Sequence, residues 1–223
     1  MEKNSILILD ALVEAMEFHK NPMQAIPMAQ YMKNHFAFLG IKQPLRKEMS
    51  ADFLAAARKL EGGEIIAICD ALWELPEREY QMIALELLYA CRKNWDARFL
   101  AFFKSIVVRK AWWDSIDFIA TKLFGTYLLG KEKPALMLSW SKSGDIWKNR
   151  VATLFQLNYK KETDTELLFE IITRLKEKKE FFIQKGIGWS LRQYSRTDPA
   201  VVKKFIAVAG IEGLAKREAL KHS

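Results

Sequence analysis

The sequence contains few residues that interrupt helices. It has 10 glycines and 6 prolines among 223 residues, and these fall mostly between segments whose apolar residues recur at helical spacing. Few segments alternate apolar and polar residues, which is the pattern of half-buried strands. The sequence therefore predicts an all-α protein.

Metal ligands and membrane segments are also scarce. His19, His35 and His222 lie far apart, without the close spacing of zinc ligands. Cys69 and Cys91 lie in apolar helical contexts, which is typical of reduced, buried thiols in a cytosolic protein. No apolar run reaches the ~18 residues of a membrane span, and acidic residues near the start are foreign to a secretory signal. We expect no metal, no cofactor, no membrane partner and a cytoplasmic location.

Basic residues exceed acidic residues. Lys and Arg number 35 against 27 Asp and Glu, which gives a net charge of +8 and a pI near 9.4. Half of the residues are hydrophobic, so one domain over residues 1–223 can bury a sizeable core. A pI above about 9 favours a polyanionic partner, of which nucleic acid is the commonest. Charge alone does not decide this, because many basic proteins bind no nucleic acid.

Short turns separate a series of predicted helices. Asp145, Asp164 (or Thr163) and Asp198 are expected N-caps, the last followed by Pro199. The predicted helices cover residues 6–18, 28–36, 43–60, 64–73, 77–93, 96–107, 112–124, 134–140, 146–159, 164–177 and 181–194, with one more opening at 198–199 and a last one at 215–221.

A weak repeat relates the second helices of successive hairpins. One polar position in each gives Gln81, Asp117, Arg150 and Lys185, at intervals of roughly 35 residues, close to the period of two-helix solenoid repeats. The prediction is an α-solenoid of HEAT-like helical hairpins, in which these positions line a concave basic groove.

Aromatic and basic side chains would share this groove. Trp113 lies one helical turn before Asp117, and Trp189 and Arg192 follow Lys185 on its own helix. Such cations attract phosphates independently of base sequence, and indoles can stack on sugars or bases. The alternative is that the tryptophans are core residues and the cations are ordinary solvated side chains.

Asp117 is the residue that phosphate binding does not explain, because a carboxylate repels phosphates. It would be useful if a cation had to be stabilised there. Loss of a base from deoxyribose passes through a sugar with oxocarbenium character. An adjacent carboxylate stabilises this positive charge and could also activate the attacking water. An alkylated purine is already cationic, so its base would leave without a strong general acid. The plainer alternative is a solvated or helix-capping acid.

Six segments carry a resemblance to a known family through their order and spacing. They are PMAQYMKNHF (27–36), WELPERE (73–79), WWDSID (112–117), DIWKNR (145–150), FFIQKGIGW (181–189) and KREA (216–219). Together they resemble AlkD-type DNA alkylation repair proteins, which are bacterial DNA glycosylases built from HEAT-like repeats.

The resemblance implies excision of cationic alkylpurines, such as 3-methyladenine and 7-methylguanine, from duplex DNA. Hydrolysis of the N-glycosidic bond would proceed without a base-binding pocket, unlike in base-flipping enzymes. By position, Asp117 matches the catalytic carboxylate, and Trp113 and Trp189 match its flanking tryptophans. Trp112 is assigned to the core. The residues that the resemblance places near DNA are Arg150, Arg192, Tyr31, Lys42 and Lys47.

Two segments depart from the family pattern. Gly186 stands where alanine is expected, and Gly186 and Gly188 are expected to loosen their helix by roughly 1 kcal/mol each relative to alanine. The segment at residues 45–47, Leu-Arg-Lys, also differs.

The competing hypothesis is a protein without chemistry. It could be a structure-specific DNA-binding protein, or a helical-repeat scaffold for an acidic partner. Asp117 argues against both, since a pure polyanion binder does not need a carboxylate in its groove. A monomer is the default expectation, and alkylated duplex DNA is the expected partner.

Overall fold

The computed structural model describes residues 1–131 and 134–221, and His222 lies outside this part. Its α-helices, in chain order, are α1 (Lys3–Phe18), α2 (Pro22–Tyr31), α3 (Gln43–Met49), α4 (Ala51–Ala57), α5 (Gly62–Glu74), α6 (Arg78–Ala90), α7 (Ala97–Ile106), α8 (Trp113–Phe118), α9 (Gly125–Leu128), α10 (Ala135–Ser141), α11 (Ile146–Leu154), α12 (Thr165–Leu175), α13 (Phe181–Ser195), α14 (Pro199–Ala209) and α15 (Gly213–Ala219).

The described residues form no strand, and one isolated bridge joins Ala37 to Glu77. The prediction of an all-α helical-repeat fold is confirmed. No described helix has the length and apolar character needed to cross a membrane.

Residue contacts divide the chain into two compact units, Met1–Phe102 and Phe103–Ser223. In the first unit, α5 packs against α6, and α1 packs against α3, α4 and α5. In the second unit, α13 packs against α11, α14 and α15. A single domain over residues 1–223 and a continuous concave groove stay predictions.

The predicted N-caps are confirmed in the second unit. The side chain of Asp145 accepts hydrogen bonds from the N–H groups of Trp147 and Lys148 at 2.8 and 3.0 Å. Asp164 and Asp198 cap α12 and α14 in the same way. These side chains satisfy N–H groups that have no partner within their own helix.

Several helix boundaries that we predicted from glycine and proline positions were wrong. The helix predicted at 28–36 is α2, which begins at Pro22 and contains Pro27. Gly62 and Gly63 open α5 and do not close the helix before it. The helix predicted at 43–60 is interrupted at Ser50. Local composition was not sufficient to locate these helix ends, because several residues near each end are suitable for starting or ending a helix.

In three of the described hairpins, a buried or half-buried side-chain amide on the second helix caps the end of the first helix. Gln81 Nε2 donates to the carbonyls of Leu72, Trp73 and Leu75. Asn149 and Gln184 donate to the carbonyls that end the preceding helices of their own hairpins. These bonds satisfy carbonyls that a helix end leaves without a partner.

This amide also corrects the register of the predicted repeat. Arg150 and Lys185 directly follow Asn149 and Gln184, whereas Gln81 is itself the capping amide. The residue equivalent to Arg150 and Lys185 in the first of these hairpins is therefore Met82.

A buried carboxylate organises the loop between α2 and α3. Glu79 accepts hydrogen bonds from the N–H groups of Leu39, Gly40 and Ile41 at 3.1, 3.0 and 3.1 Å. Gly40 has φ +88°, and a Cβ there would lie 2.0 Å from the carbonyl oxygen of Asn21. Glu79 therefore fixes the backbone that leads into α3.

Glu79→Gln is expected to lower the free energy of unfolding by about 2 kcal/mol, measured by urea denaturation. An amide NH₂ cannot accept a hydrogen bond, so at least one buried N–H loses its acceptor. Glu48→Gln makes the same charge change on an exposed side chain of α3 and is expected to cost under about 0.5 kcal/mol. Equal effects of the two substitutions would contradict this role of Glu79.

Candidate active site

Asp117 lies near the end of α8, where the winding of the helix changes. Residues Ile119–Phe124 are π-helical and connect α8 to α9. The N–H of Gly125 donates to the carbonyl of Ala120, five residues earlier, and the Thr121 hydroxyl donates to the carbonyl of Asp117 at 2.7 Å. Such π segments are rare in proteins, and those that occur are frequently found at functional sites.

Gly125 directly follows the helix predicted at 112–124, and the structure shows that it continues the helix. A Cβ at Gly125 would lie 2.6 Å from the carbonyl oxygen of Phe155. The glycine therefore allows the close approach of two backbone segments. The hydroxyl of Tyr159 donates to the Gly125 carbonyl at 2.7 Å and joins the same two segments.

Asp117 forms a bidentate ion pair with Arg150. Arg150 Nε donates to Asp117 Oδ1 at 2.7 Å, and Nη2 donates to Oδ2 at 2.9 Å. A third donor, Nη1, bonds the carbonyl oxygen of Phe182 at the start of α13. The side chains of Asp117 and Arg150 are 18% and 6% exposed. Arg150 therefore fixes the orientation of the carboxylate and links α8 to α13.

Two opposing effects set the protonation of Asp117. Burial raises the pKa of the Asp117 carboxyl above its ordinary value, and the hydrogen bonds and positive charge of Arg150 act in the opposite direction. Asp114 adds a smaller upward contribution to this pKa. An arginine stays protonated and donates two hydrogen bonds here, which favours the ionised form of the Asp117 carboxyl.

Arg150, which the sequence places near the DNA backbone, is buried in the structure. The residue is 5% exposed, and its guanidinium is bonded to Asp117 and Phe182. A contact between Arg150 and a phosphate stays a prediction. Sequence reasoning missed the Phe182 carbonyl, because a backbone acceptor has no signature in the side-chain pattern.

An aromatic cluster lies beside this ion pair. The rings of Trp112, Trp147 and Phe182 have centroids 5.1 to 5.6 Å apart, and the guanidinium carbon of Arg150 lies 5.8 Å from the Phe182 ring centroid. Trp112 is half-buried in this cluster, so it is not one of the fully buried core residues. The cluster supports the segment in which Trp113 begins α8.

Trp189 is half-buried on α13, between two paired cations. Lys185 Nζ lies 2.9 Å from Glu218 Oε1, and Arg192 Nη1 lies 3.2 Å from Glu218 Oε2. Lys185, Trp189 and Arg192 follow one another at helical spacing, so they share one face of α13. The structure thus brings the two predicted cations together at Glu218, a carboxylate that the sequence analysis did not single out.

Both glycines of α13 lie inside an unbroken helix. A Cβ at Gly186 would lie 3.4 Å from Arg150 Nη1, whereas one at Gly188 would lie 2.4 Å from the Cβ of Glu218. Gly188 is therefore required for the close packing of α15 on α13. Its role is contact between helices, which the expectation of a loosened helix did not include.

The remaining predicted DNA contacts lie in the first unit. Tyr31 ends α2 and is 70% exposed, and Lys42 immediately precedes α3. Both line one shallow pocket of about 320 Å³. Lys47 is exposed on α3, whereas the adjacent Arg46 is buried and paired with Glu86 at 2.8 Å.

Comparison with known proteins identifies the family. A model of the DNA alkylation repair enzyme family matches residues 12–223. A solved structure described as a predicted DNA alkylation repair enzyme from Enterococcus faecalis is 36% identical to the chain. It has a TM-score of 0.87 and covers 91% of this chain and 96% of its own. The chain belongs to the DNA alkylation repair enzyme family.

Family membership supports a role in DNA alkylation repair, with DNA as the substrate. The smu.31 structure from Streptococcus mutans UA159 has a TM-score of 0.60 at 22% identity and covers 80% of this chain and 96% of its own. This second likeness supports the fold alone. The search of curated proteins found no match.

For an alkylation repair enzyme, the geometry offers an oriented carboxylate at Asp117. Within residues 1–131 and 134–221, no three His, Cys, Asp or Glu side chains lie close enough together to hold a metal ion. The anion at Asp117 is held by two hydrogen bonds from Arg150 and retains partial access to solvent. A carboxylate in this setting can stabilise a cation that forms beside it.

Proposed function

We propose that the protein is a DNA glycosylase that excises cationic alkylated purines from duplex DNA. The reaction is hydrolysis of the N-glycosidic bond, which releases the free base and leaves an abasic site. The observation that carries the proposal is the half-buried carboxylate of Asp117, held in place by two hydrogen bonds from Arg150. A protein that only binds DNA gains no affinity from an anion there.

Asp117 stabilises positive charge on the sugar. As the bond to the base breaks, the deoxyribose acquires oxocarbenium character, and the carboxylate offers a fixed negative charge to it. Because Arg150 already holds the carboxylate in place, little reorganisation is needed when the charge develops. The oxygens of Asp117 also keep lone pairs with which to orient the attacking water.

Arg150 prevents the carboxylate from binding a proton as a buried acid otherwise does. A buried carboxyl without a partner shifts toward its neutral form. The guanidinium opposes that shift and leaves the negative charge available to the sugar. An already cationic leaving base needs no proton from the enzyme, so an ionised carboxylate is sufficient for this substrate class.

The other predicted residues supply binding. Trp113 and Trp189 offer indole faces that can pack on sugars and add cation–π attraction. Contacts with the backbone are assigned to Lys185 and Arg192 in the second unit and to Tyr31, Lys42 and Lys47 in the first. Contacts of this kind give affinity that falls steeply with salt.

A single-turnover excision assay tests the proposal. The substrate is a duplex that carries one 7-methylguanine, incubated with excess protein, and the products are the free base and an abasic site that is cleaved by alkali. Base release above the enzyme-free rate is expected. Tight, salt-dependent binding without base release would refute the glycosylase and support a non-catalytic DNA-binding protein.

Excision is expected to fall as the pH is lowered, with a midpoint above the pKa near 3.9 of a solvated aspartate. Burial raises the pKa of Asp117, and an acid with a raised pKa becomes protonated at a higher pH. Since only the carboxylate stabilises the cationic sugar, the rate declines as this proton binds. Single-turnover rates across pH check this, with an enzyme-free duplex at each pH. A rate that stays constant until the protein unfolds would contradict it.

A further inference from the structure

The three cations predicted to meet phosphates in the second unit are already paired with carboxylates. Arg150 is paired with Asp117, and Lys185 and Arg192 share Glu218. Two carboxylates therefore offset most of the charge of these three residues. A count of basic residues overstates the attraction that they exert on DNA.

Glu218 is the least exposed member of its group. Its side chain is 16% exposed, against 37% for Lys185 and 24% for Arg192. Each carboxylate oxygen bonds a different cation, and the hydrogen bond from Lys185 holds the pKa of Glu218 below its ordinary value. A phosphate that contacts either cation therefore approaches an ionised carboxylate.

The close packing of α15 on α13 fixes the position from which the Glu218 side chain starts. A Cβ on Gly188 would lie 2.4 Å from the Cβ of Glu218 and 2.8 Å from the carbonyl oxygen of Ala215. The backbone of α15 thus lies directly against α13 at this point. The Cβ of Glu218 is therefore held beside α13, where the ion pairs place its carboxylate against Lys185 and Arg192.

We propose that Glu218 is a specificity-determining residue that weakens binding to undamaged duplex DNA by opposing phosphate contacts at Lys185 and Arg192. The inference rests on the proposed function, in which these two side chains contact the DNA backbone. Undamaged sites vastly outnumber lesions, and sequence-independent phosphate contacts supply most of the binding to them. A carboxylate that reduces these contacts shortens the time spent at undamaged sites.

Glu218→Gln tests this directly on undamaged duplex. The affinity for a fluorescein-labelled duplex is measured by fluorescence anisotropy at several salt concentrations. We expect the affinity to rise about fivefold, because a unit charge beside the ligand is removed. The slope of log K against log salt is expected to steepen by about one, as for one additional phosphate contact.

Glu212→Gln is the matched control. Glu212 is exposed and immediately precedes α15. Its substitution by glutamine changes the net charge by the same amount as Glu218→Gln. It is expected to raise the affinity by less than about twofold, because long-range charge at the surface is screened. Binding by Glu218→Gln that is no tighter than binding by Glu212→Gln overturns the proposal.

Two further variants establish the mechanism. Glu218→Ala removes the carboxylate without an amide in its place and is expected to tighten binding as Glu218→Gln does. In a protein that carries Lys185→Gln and Arg192→Gln, the same change is expected to have little effect, since the cations that it would release are gone. A gain that persists in that background overturns the proposal.

The undamaged duplex contains no lesion, so these results do not depend on base release. Failure of the wild-type protein to excise 7-methylguanine would refute the proposed function and leave the binding comparison intact. Loss of the Glu218 effect with normal excision would refute only the present inference.

Discussion

Asp117→Asn is expected to lower the single-turnover rate of 7-methylguanine excision by about 10²- to 10³-fold, the range seen when one preorganised electrostatic contact is removed. Asparagine has nearly the shape of aspartate and accepts one hydrogen bond from Arg150. It lacks the negative charge that stabilises the cationic sugar. The rate at saturating enzyme is therefore expected to fall, whereas substrate binding is expected to persist.

Measurements of DNA binding distinguish a catalytic defect of Asp117→Asn from unfolding of the variant. In Asp117→Asn, the guanidinium of Arg150 loses its counter-ion, so the affinity for alkylated duplex is expected to stay equal or to increase. Anisotropy at two salt concentrations and a thermal melt measure this in the same preparation. An unchanged excision rate in a folded, DNA-binding variant would remove Asp117 from the chemistry.

Asp114→Asn is the matched control for the same substitution. Asp114 lies three residues before Asp117 on α8 and has a minor effect on the Asp117 pKa. Neutralising it is expected to change the excision rate by less than about threefold. A loss comparable to that of Asp117→Asn would indicate that the overall charge of α8, and not the carboxylate of Asp117, determines the rate.

Arg150→Gln is expected to lower the excision rate near neutral pH by about 10- to 100-fold and to move its pH dependence upward. Without the guanidinium, burial of Asp117 is opposed less, so the pKa of its carboxyl rises further and the neutral form is favoured. Stability is expected to fall by about 3 kcal/mol, since one partner of a buried pair is lost. Rate–pH profiles and urea denaturation measure the two effects.

The salt dependence of binding distinguishes this role from a phosphate contact. If Arg150 acts through Asp117, Arg150→Gln changes the rate at saturating enzyme and leaves the salt slope unchanged. A phosphate contact would instead lower the slope by about one with a normal rate at saturation.

Arg174→Gln is the control for the stability effect of Arg150→Gln. Arg174 forms a more exposed pair with Glu170 on α12, so its loss is expected to lower the free energy of unfolding by less than about 1 kcal/mol.

The sequence was sufficient for the helical class, several helix starts and the order of the chemically important residues. Caps such as Asp145 and Asp164 act within three residues of their position, so local sequence contains the necessary information. The same holds for the spacing of Trp113 and Asp117 on α8, and of Lys185, Trp189 and Arg192 on α13. Periodicity placed these residues on common helix faces without knowledge of the packing.

The ends of helices and the roles of glycine were harder to predict from the sequence. Gly62 and Gly63 open a helix, Gly125 continues one, and Gly188 admits a neighbouring helix. Each glycine has the same intrinsic freedom, but its effect depends on which backbone lies beside it. That neighbour belongs to a distant segment, so local composition could not choose among these roles.

The tertiary structure decided which charges are available to DNA. Arg150 was predicted to lie near the DNA backbone, and helix packing pairs it with Asp117, 33 residues away. Lys185 and Arg192 are likewise paired with Glu218 of α15. Sequence determined that these charged groups exist and on which helices they lie. Only packing brought cation and carboxylate within hydrogen-bonding distance, and the energy of a charge depends on its partners and burial at such short range.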